Sequence, residues 1–571
     1  MSISQRVRSH WASSGLCAVA LAAAVAPAAR AAVLIVDTAH PAASDDNPGT
    51  REAPLKTIAA AAARAVAGDE VLVRPGIYRE SVTLTNSGAP GRPIVFRSEE
   101  PLQAVISGAD VATNWTPEEP GVWSFPEPGR FPYPGEYPHG AWMFVNGRPL
   151  QYAEQRERLV PGSYHLDAQA KRILVAPPED ISLGEGVFEF AWREGLIFPA
   201  RPLDDIHIRG FTLLHNANWF RGRCALTISG RRWLVESNRV AWASYSGLCF
   251  RYSSDCVARH NLIEWSGVQN VGGGRNLRML FECNTVRYGN WRRNNPSMEG
   301  GGSKWSSTLD SVVRSNAWYG NHGSGLWFDF FNCDNVFEHN VAHDNTIWGL
   351  FSEFNWNMII RDNIAYDNGY GVMVAQNQGT VVRRNIVFNN DVGMTVRGDG
   401  TGPIKPIDDW LPQHLESMRA IPDADPLVMD RFEAGCLKMY LAPRFFNSNN
   451  SVFWENVVFE SQWRNYYEAR NYAVVSPTDV YVNNYSDYNL WHALRPDAGF
   501  HHAGGAYPDG LAGWQKASGR DLHSVELDPR TATNLPAWVE AKRSQWDFPV
   551  RPLRELRTLG LVDSPEGQLA K

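Results

Sequence analysis

Two carboxylates, Asp329 and Glu353, close two short segments of matching form, GLWFD from Gly325 and GLFSE from Gly349. Each acid stands fourth after its Gly, and an aromatic, Trp327 or Phe351, stands second. In a strand, successive side chains point to opposite faces. Positions one and three hold Leu326, Phe328, Leu350 and Ser352 and suit a core, so positions two and four face outward. The same alignment takes in GLCFR from Gly247, GVMVA from Gly371 and GMTVR from Gly393, which puts Arg251, Ala375 and Arg397 in the acids' column. Like charges directly opposite each other destabilise a sheet, so a stacked acid pair calls for a use. Two carboxyls near ~5–5.5 Å apart are what a retaining glycosidase employs, whereas an inverting one needs ~6.5–9.5 Å. The competing readings are an exposed acidic pair without a role and a cation site.

The surroundings assign roles. Trp348 and Phe351 lie near Glu353 in sequence, and desolvation favours a protonated carboxyl, so Glu353 is the expected general acid. Asp329 is the expected nucleophile, held ionised by Lys304 of GGGSKW, one rung before Trp327. That placement requires Gly302 rather than Gly301 to open the strand. Trp327, Phe351 and Met373 are expected to expose an apolar surface to a sugar. His322, just before the GLWFD strand, is expected to bind a sugar hydroxyl or to be a turn histidine. Arg397, two rungs beyond Glu353, is an expected substrate contact. No CxxC or Cys/His spacing suggests a metal.

What must position these residues is a repeat. DSVVRSNAWYGNHGSGLWFD, DNVFEHNVAHDNTIWGLFSE, MIIRDNIAYDNGYGVMVA and TVVRRNIVFNNDVGMTVR are variants of one sentence. Its first Asn recurs at 238, 261, 284, 316, 340, 363 and 385, in steps of 23, 23, 32, 24, 23 and 22, and a second recurs at 321, 345, 368 and 390. A period of this size built from short strands means stacked β-coils, with the amides hydrogen-bonding along the stack. The expected fold is all-β, a right-handed single-stranded parallel β-helix with an N-terminal capping helix and an inserted β-rich lobe. Two residues before each ladder Asn stand Glu236, Arg259, Glu282, Arg314, Glu338, Arg361 and Arg383. Alternating signs one coil apart attract, which marks Glu338 as structural.

Residues 1–31 read as a secretory signal. Arg6 and Arg8 precede an apolar stretch from Leu16 to Ala29, and Ala29-Arg30-Ala31 suits cleavage. Leu16 before Cys17 argues against a lipid anchor. The expected location is periplasmic or secreted, with no membrane insertion after cleavage. Losing Arg6, Arg8 and Arg30 takes the formal charge from -7 to -10, which argues against nucleic acid. The 22 Trp suit sugar rings, although most serve as filler. Six cysteines, 224, 249, 256, 283, 333 and 436, survive cleavage, share no column and commit to no bridge. The expected divisions are a cap with the first coils over 32–110, the lobe over 111–200, the helix core over 201–400, an excursion or lid over 401–444, and coils with a tail over 445–571. Oligomeric state is left open.

Two resemblances add to this. DDNPGT, then TIAAAAARAVAGDEVLVRPGIY, resembles the opening of the pectate-lyase-like β-helix superfamily. GGGSKW, NHGSGLWFD and GLFSE resemble the active-site region of glycoside hydrolase family 120, the β-helical β-xylosidases. That resemblance implies hydrolysis of β-linked sugars with retention, Asp329 as nucleophile, Glu353 as acid/base, no cofactor, and an oligosaccharide or polysaccharide partner. The rival reading is a polysaccharide lyase, with Lys304 or Arg397 as base, Asp329 and Glu353 holding Ca²⁺, and uronates meeting Arg251 and Arg397. A third is a glycan-binding β-helix without turnover.

Overall fold

The computed structural model describes residues 31–128, 140–219, 222–398, 407–441, 451–459, 464–470, 484–493, 500–502, 505–507, 509–529, 531–535 and 537–540. The expected signal sequence, apart from Ala31, and the end of the tail lie outside them.

Short β-branched segments, each closed by a tight turn, wind into coils. Their strands form three long sheets of 13, 14 and 13 strands, with successive coils as parallel neighbours. One turn explains the Asn period. The residue before the ladder Asn is left-handed in every coil, for example Ser237, His260, Cys283, Ser315 and His339 at φ of 54–58°. The turn leaves backbone groups inside, and the Asn answers them. Asn261 Nδ2 donates to Asn284 Oδ1 at 2.9 Å and to the Val235 carbonyl at 3.0 Å, while its Oδ1 accepts the Asn238 N–H at 3.0 Å. The ladder crosses the 401–444 stretch unbroken, from Asn385 to Asn456 to Asn489. The second ladder runs through Asn321, Asn345, Asn368 and Asn390. A third, unforeseen in the sequence, joins Asn332, Asn355 and Asn377.

The charged column forms as expected. Arg259 bonds Glu236, Arg314 bonds Glu282 and Arg361 bonds Glu338, at 2.6–2.8 Å. Its like-charged step, Arg361 to Arg383, is relieved because Arg383 pairs with Glu455 at 2.9 Å in the following coil.

The first coil's end is covered by helix α1 (Ile58–Arg64). Thr57 Oγ1 accepts the Ala60 N–H, and the Glu80 carboxylate accepts those of Ile58 and Ala59. Between Ala109 and Ala191 the chain leaves the coils to build a lobe of two small sheets, four- and five-stranded. Its core holds Met143, Tyr164, Ile173 and Phe190. The lobe docks through Trp142 and Phe144 onto Trp242 and Trp291, and Arg292 lies 4.2 Å over the Trp142 ring. Helices α2 (Ile407–Arg419) and α3 (Pro426–Leu441) pack Met418, Phe432 and Cys436 onto Leu309, Phe331, Cys333 and Trp356, outside the coils. Cys224 and Cys249, left unpaired in the sequence reading, are disulfide-bonded. Strand columns do not reveal this, because Cys224 lies just before its strand rather than in it.

Candidate active site

Seven successive strands of the 14-stranded sheet carry the site: β1 (Ser246–Ser254), β2 (Gln269–Leu277), β3 (Gly301–Leu309), β4 (Leu326–Asp329), β5 (Trp348–Glu353), β6 (Tyr370–Ala375) and β7 (Val392–Gly398). Register is direct. Asp329 lies opposite Glu353, Trp327 opposite Phe351, Glu353 opposite Ala375, and Ala375 opposite Arg397. Gly301 bridges Ser324, so Gly302 aligns with Gly325 and Lys304 enters the column of Trp327. In the other direction the acids' column continues through Ser306 and Gly274 to Arg251. Leu326, Phe328, Leu350 and Ser352 are buried inside.

Each acid meets a cation from another rung. Lys304 Nζ lies 3.1 Å from Asp329 Oδ2, and Arg397 Nη2 lies 3.7 Å from Glu353 Oε1, reaching across the small Ala375. A loop seats Lys304: its Nζ donates to the Met298 carbonyl at 2.7 Å, stands 3.8 Å from Glu299, and lies 4.1 Å over the Trp327 ring. Burial pushes the Asp329 carboxyl above the usual aspartate range, while Lys304 and the Phe330 N–H pull it down. This differs from the expectation of a carboxyl held simply ionised. Withdrawal from water outweighs one ammonium.

The aromatic column is placed differently from the expectation. Trp327, Phe351 and Met373 are on the outer face but only 2%, 0% and 3% exposed. The Trp327 and Phe351 rings stack at 5.3 Å, and Trp348 packs 4.4 Å from Phe351. They form a dry floor rather than a sugar platform. His322 sits in the turn before β4, its ring 3.2 Å from Arg293 and 3.4 Å from Thr346. Burial and Arg293 push its pKa down.

From Arg251 to Ala375, the residue after each column member adopts the left-handed conformation: Tyr252, Arg275, Ser307, Phe330, Phe354 and Gln376, at φ of 48–68°. Such a backbone is costly for non-Gly residues, and it turns this next set of side chains along the cleft's edge. Phe330 is 40% exposed, stacks on Phe354 at 5.6 Å and directly follows Asp329. The α2 residue His414 bonds Ser307 Oγ through Nε2 at 3.1 Å, and burial pushes its pKa down to about 4. Phe330, His414, Arg275 and Ser307 line a cavity of about 500 Å³ over β1–β3, beside Asp329. The sequence reading missed them. The fifth position after the strand-opening Gly was the available signal for Phe330.

Residues 206–386 match the family described as the right handed beta helix region. A solved structure of XylC in complex with xylose superimposes at a TM-score of 0.64, with 15% identity, over 88% of this chain and 87% of that one. The chain is a right-handed parallel β-helix. Two curated proteins share stretches of this β-helix chain. An uncharacterized protein, YwoF of Bacillus subtilis (strain 168), is 46% identical over 72 residues, 13% of this chain. Pectate lyase PEL9 of Emericella nidulans is 36% identical over 91 residues, 16% of this chain. The matches span 15% and 22% of those relatives' lengths.

Proposed function

We propose that this β-helix is an exported carbohydrate-active enzyme, a retaining glycoside hydrolase on β-linked oligosaccharides of the xylosidase kind. The observation that carries the reading is the register of Asp329 against Glu353 on adjacent rungs, each beside its own cation. Rungs about 4.8 Å apart bring paired carboxyls near the ~5–5.5 Å of double displacement. The Asp329 carboxylate attacks the anomeric carbon as the glycosidic bond breaks, and Glu353 gives its proton to the departing oxygen. Glu353 then takes a proton from water, whose oxygen releases the sugar from Asp329. Lys304, at 3.1 Å, is placed to bind the Asp329 carboxylate, and Phe330, 40% exposed, offers apolar surface to the sugar. A xylose complex of a like-folded protein supports xylose as the first sugar to try. The Cys224–Cys249 bridge supports export, since disulfides persist in oxidising compartments.

Aryl β-glycosides test the assignment. Asp329→Ala abolishes turnover, while Glu353→Ala spares activated leaving groups that need no proton. Equal loss on all leaving groups would refute the acid role, and no loss in either variant would leave a glycan-binding protein. The pectate lyase stretch favours one second reading, β-elimination on a uronate with Lys304 as base. Product absorbance in the ultraviolet, with reducing ends, would select it.

A further inference from the structure

The cavity beside Asp329 has a shape and a charge that the double displacement leaves unused. In the acids' column, Arg251 and Asp329 are three rungs apart and only Gly274 and Ser306 stand between them. At about 4.8 Å per rung, the two charged ends are roughly 14 Å apart. Gly274 brings no side chain into this column, and a Cβ there would fall 2.7 Å from Ser306 Oγ. The cavity's volume of about 500 Å³ lies within the ~300–1,000 Å³ of small-ligand sites.

We propose that this hollow is a second sugar subsite, which takes a carboxylate-bearing sugar residue beside the one at Asp329, with Arg275 and Arg251 as its receptors. The proposal rests on the hydrolase reading for what happens at Asp329, and on the hollow alone for what binds beside it. Arg275 is built for the task. Its guanidinium lies 5.4 Å over the Tyr252 ring, and Nε donates to Ser417 Oγ of α2 at 2.9 Å. Among the described residues its terminal nitrogens have no hydrogen-bond partner, and those are the atoms that grip a carboxylate in a forked pair. The carboxylate that lines the cavity, Glu299, already faces Lys304 at 3.8 Å and the Tyr245 hydroxyl at 3.4 Å. His414, held neutral by burial at ordinary pH, adds no charge. The described part of the lining carries two guanidinium groups and one acid, Glu299, in a chain of formal charge -7. A second, independent sign of a ligand is Gln269, which is 8% exposed and lines the cavity, and whose buried Oε1 has no hydrogen-bond donor among the described residues. Such an oxygen is costly without a partner, and a sugar hydroxyl supplies one.

The test is a binding measurement on the full chain carrying Asp329→Asn and Glu353→Gln, so that no substrate turns over. Calorimetry compares a neutral β-linked xylo-oligosaccharide with the same oligosaccharide bearing one glucuronate. At least ten-fold tighter binding of the acidic ligand is expected, falling several-fold between low and high salt. Arg275→Gln or Arg251→Gln should erase that preference. Equal affinities, no binding of either ligand, or a preference untouched by salt would overturn the proposal, as would one kept in both arginine variants. The salt series needs no arginine variant to fold. Turnover of neutral aryl glycosides by the wild type is read separately, so loss of the hydrolase reading and loss of the subsite are told apart.

Discussion

Asp329 is held between two opposed influences, burial that favours its proton and an ammonium that favours its charge. Removing the ammonium leaves only the Phe330 N–H against burial. Lys304→Met should therefore raise the Asp329 pKa further and move the acidic limb of kcat/KM to higher pH, with turnover down by roughly 10²-fold or more as transition-state charge loses its partner. A pH–rate profile decides, and an unmoved limb would refute the coupling. A second carboxyl tests the same physics away from the cleft. Burial and the neighbouring Asp344 push Asp367 up to about 7. Its folded pKa exceeds the unfolded one, so the stability it contributes is complete below about 4 and is lost as pH rises toward 7. Asp367→Asn should raise stability at pH 8 by on the order of 1 kcal/mol and do nothing at pH 4, as read by denaturant midpoints. The register of Asp329 on Glu353 was legible in the sequence, because a Gly marks each strand's start and alternation does the rest. The burial of Trp327 was not legible. It depends on the Lys304 ammonium and the Trp348 ring closing over it from other rungs, and alternation reports face but not cover.

The Asn ladder and the charged column look alike in sequence but differ in energetic weight. Asn340 is 1% exposed, donates to the Val313 carbonyl and Asn363, and accepts from both nitrogens of Asn316. Asn340→Ala leaves buried groups unanswered and should cost about 1–3 kcal/mol or more. Glu338→Gln loosens a pair whose Arg361 side chain is 45% exposed, and should cost less than about 1 kcal/mol. Chemical denaturation of both variants measures the contrast, and equal losses would contradict it. The helices are a different kind of element. α2 brings His414 to Ser307 and the cleft's edge, and that histidine is neutral across ordinary pH. His414→Ala should raise KM a few-fold, the worth of a hydrogen bond or two, by the same factor at pH 5.5 and 8. Periodicity foretold the ladders, since one turn chemistry repeats in every coil. It is silent on the hairpin's docking, which depends on apolar patches without a period.

Across the molecule, the breaks in the repeat are where the cleft acquires its walls. The 32-residue step between Asn284 and Asn316 admits the loop whose Met298 and Glu299 seat Lys304. The jump from Asn385 to Asn456 admits α2 and α3. Ahead of both, the segment carrying Trp219 to the cavity's rim is pinned by Cys224–Cys249, a bridge spanning 25 positions of chain. A loop of that length is worth roughly 3 kcal/mol in the chain-entropy model, a large share of a typical domain's ~5–15 kcal/mol. Thiol chemistry can read the difference. Cys283 is exposed, whereas Cys256, Cys333 and Cys436 are buried, and burial pushes the Cys256 thiol up to about 12. In the native protein Cys283 should react at once with a disulfide reagent and those three only on opening, because the thiolate is the reactive form. In Cys224→Ser with Cys249→Ser, the buried thiols should react roughly 10²-fold faster under conditions where opening limits them, matching the lost 3 kcal/mol. If their rates stay unchanged while the denaturation midpoint falls, the bridge pins only the rim of the cleft and the coils hold without it.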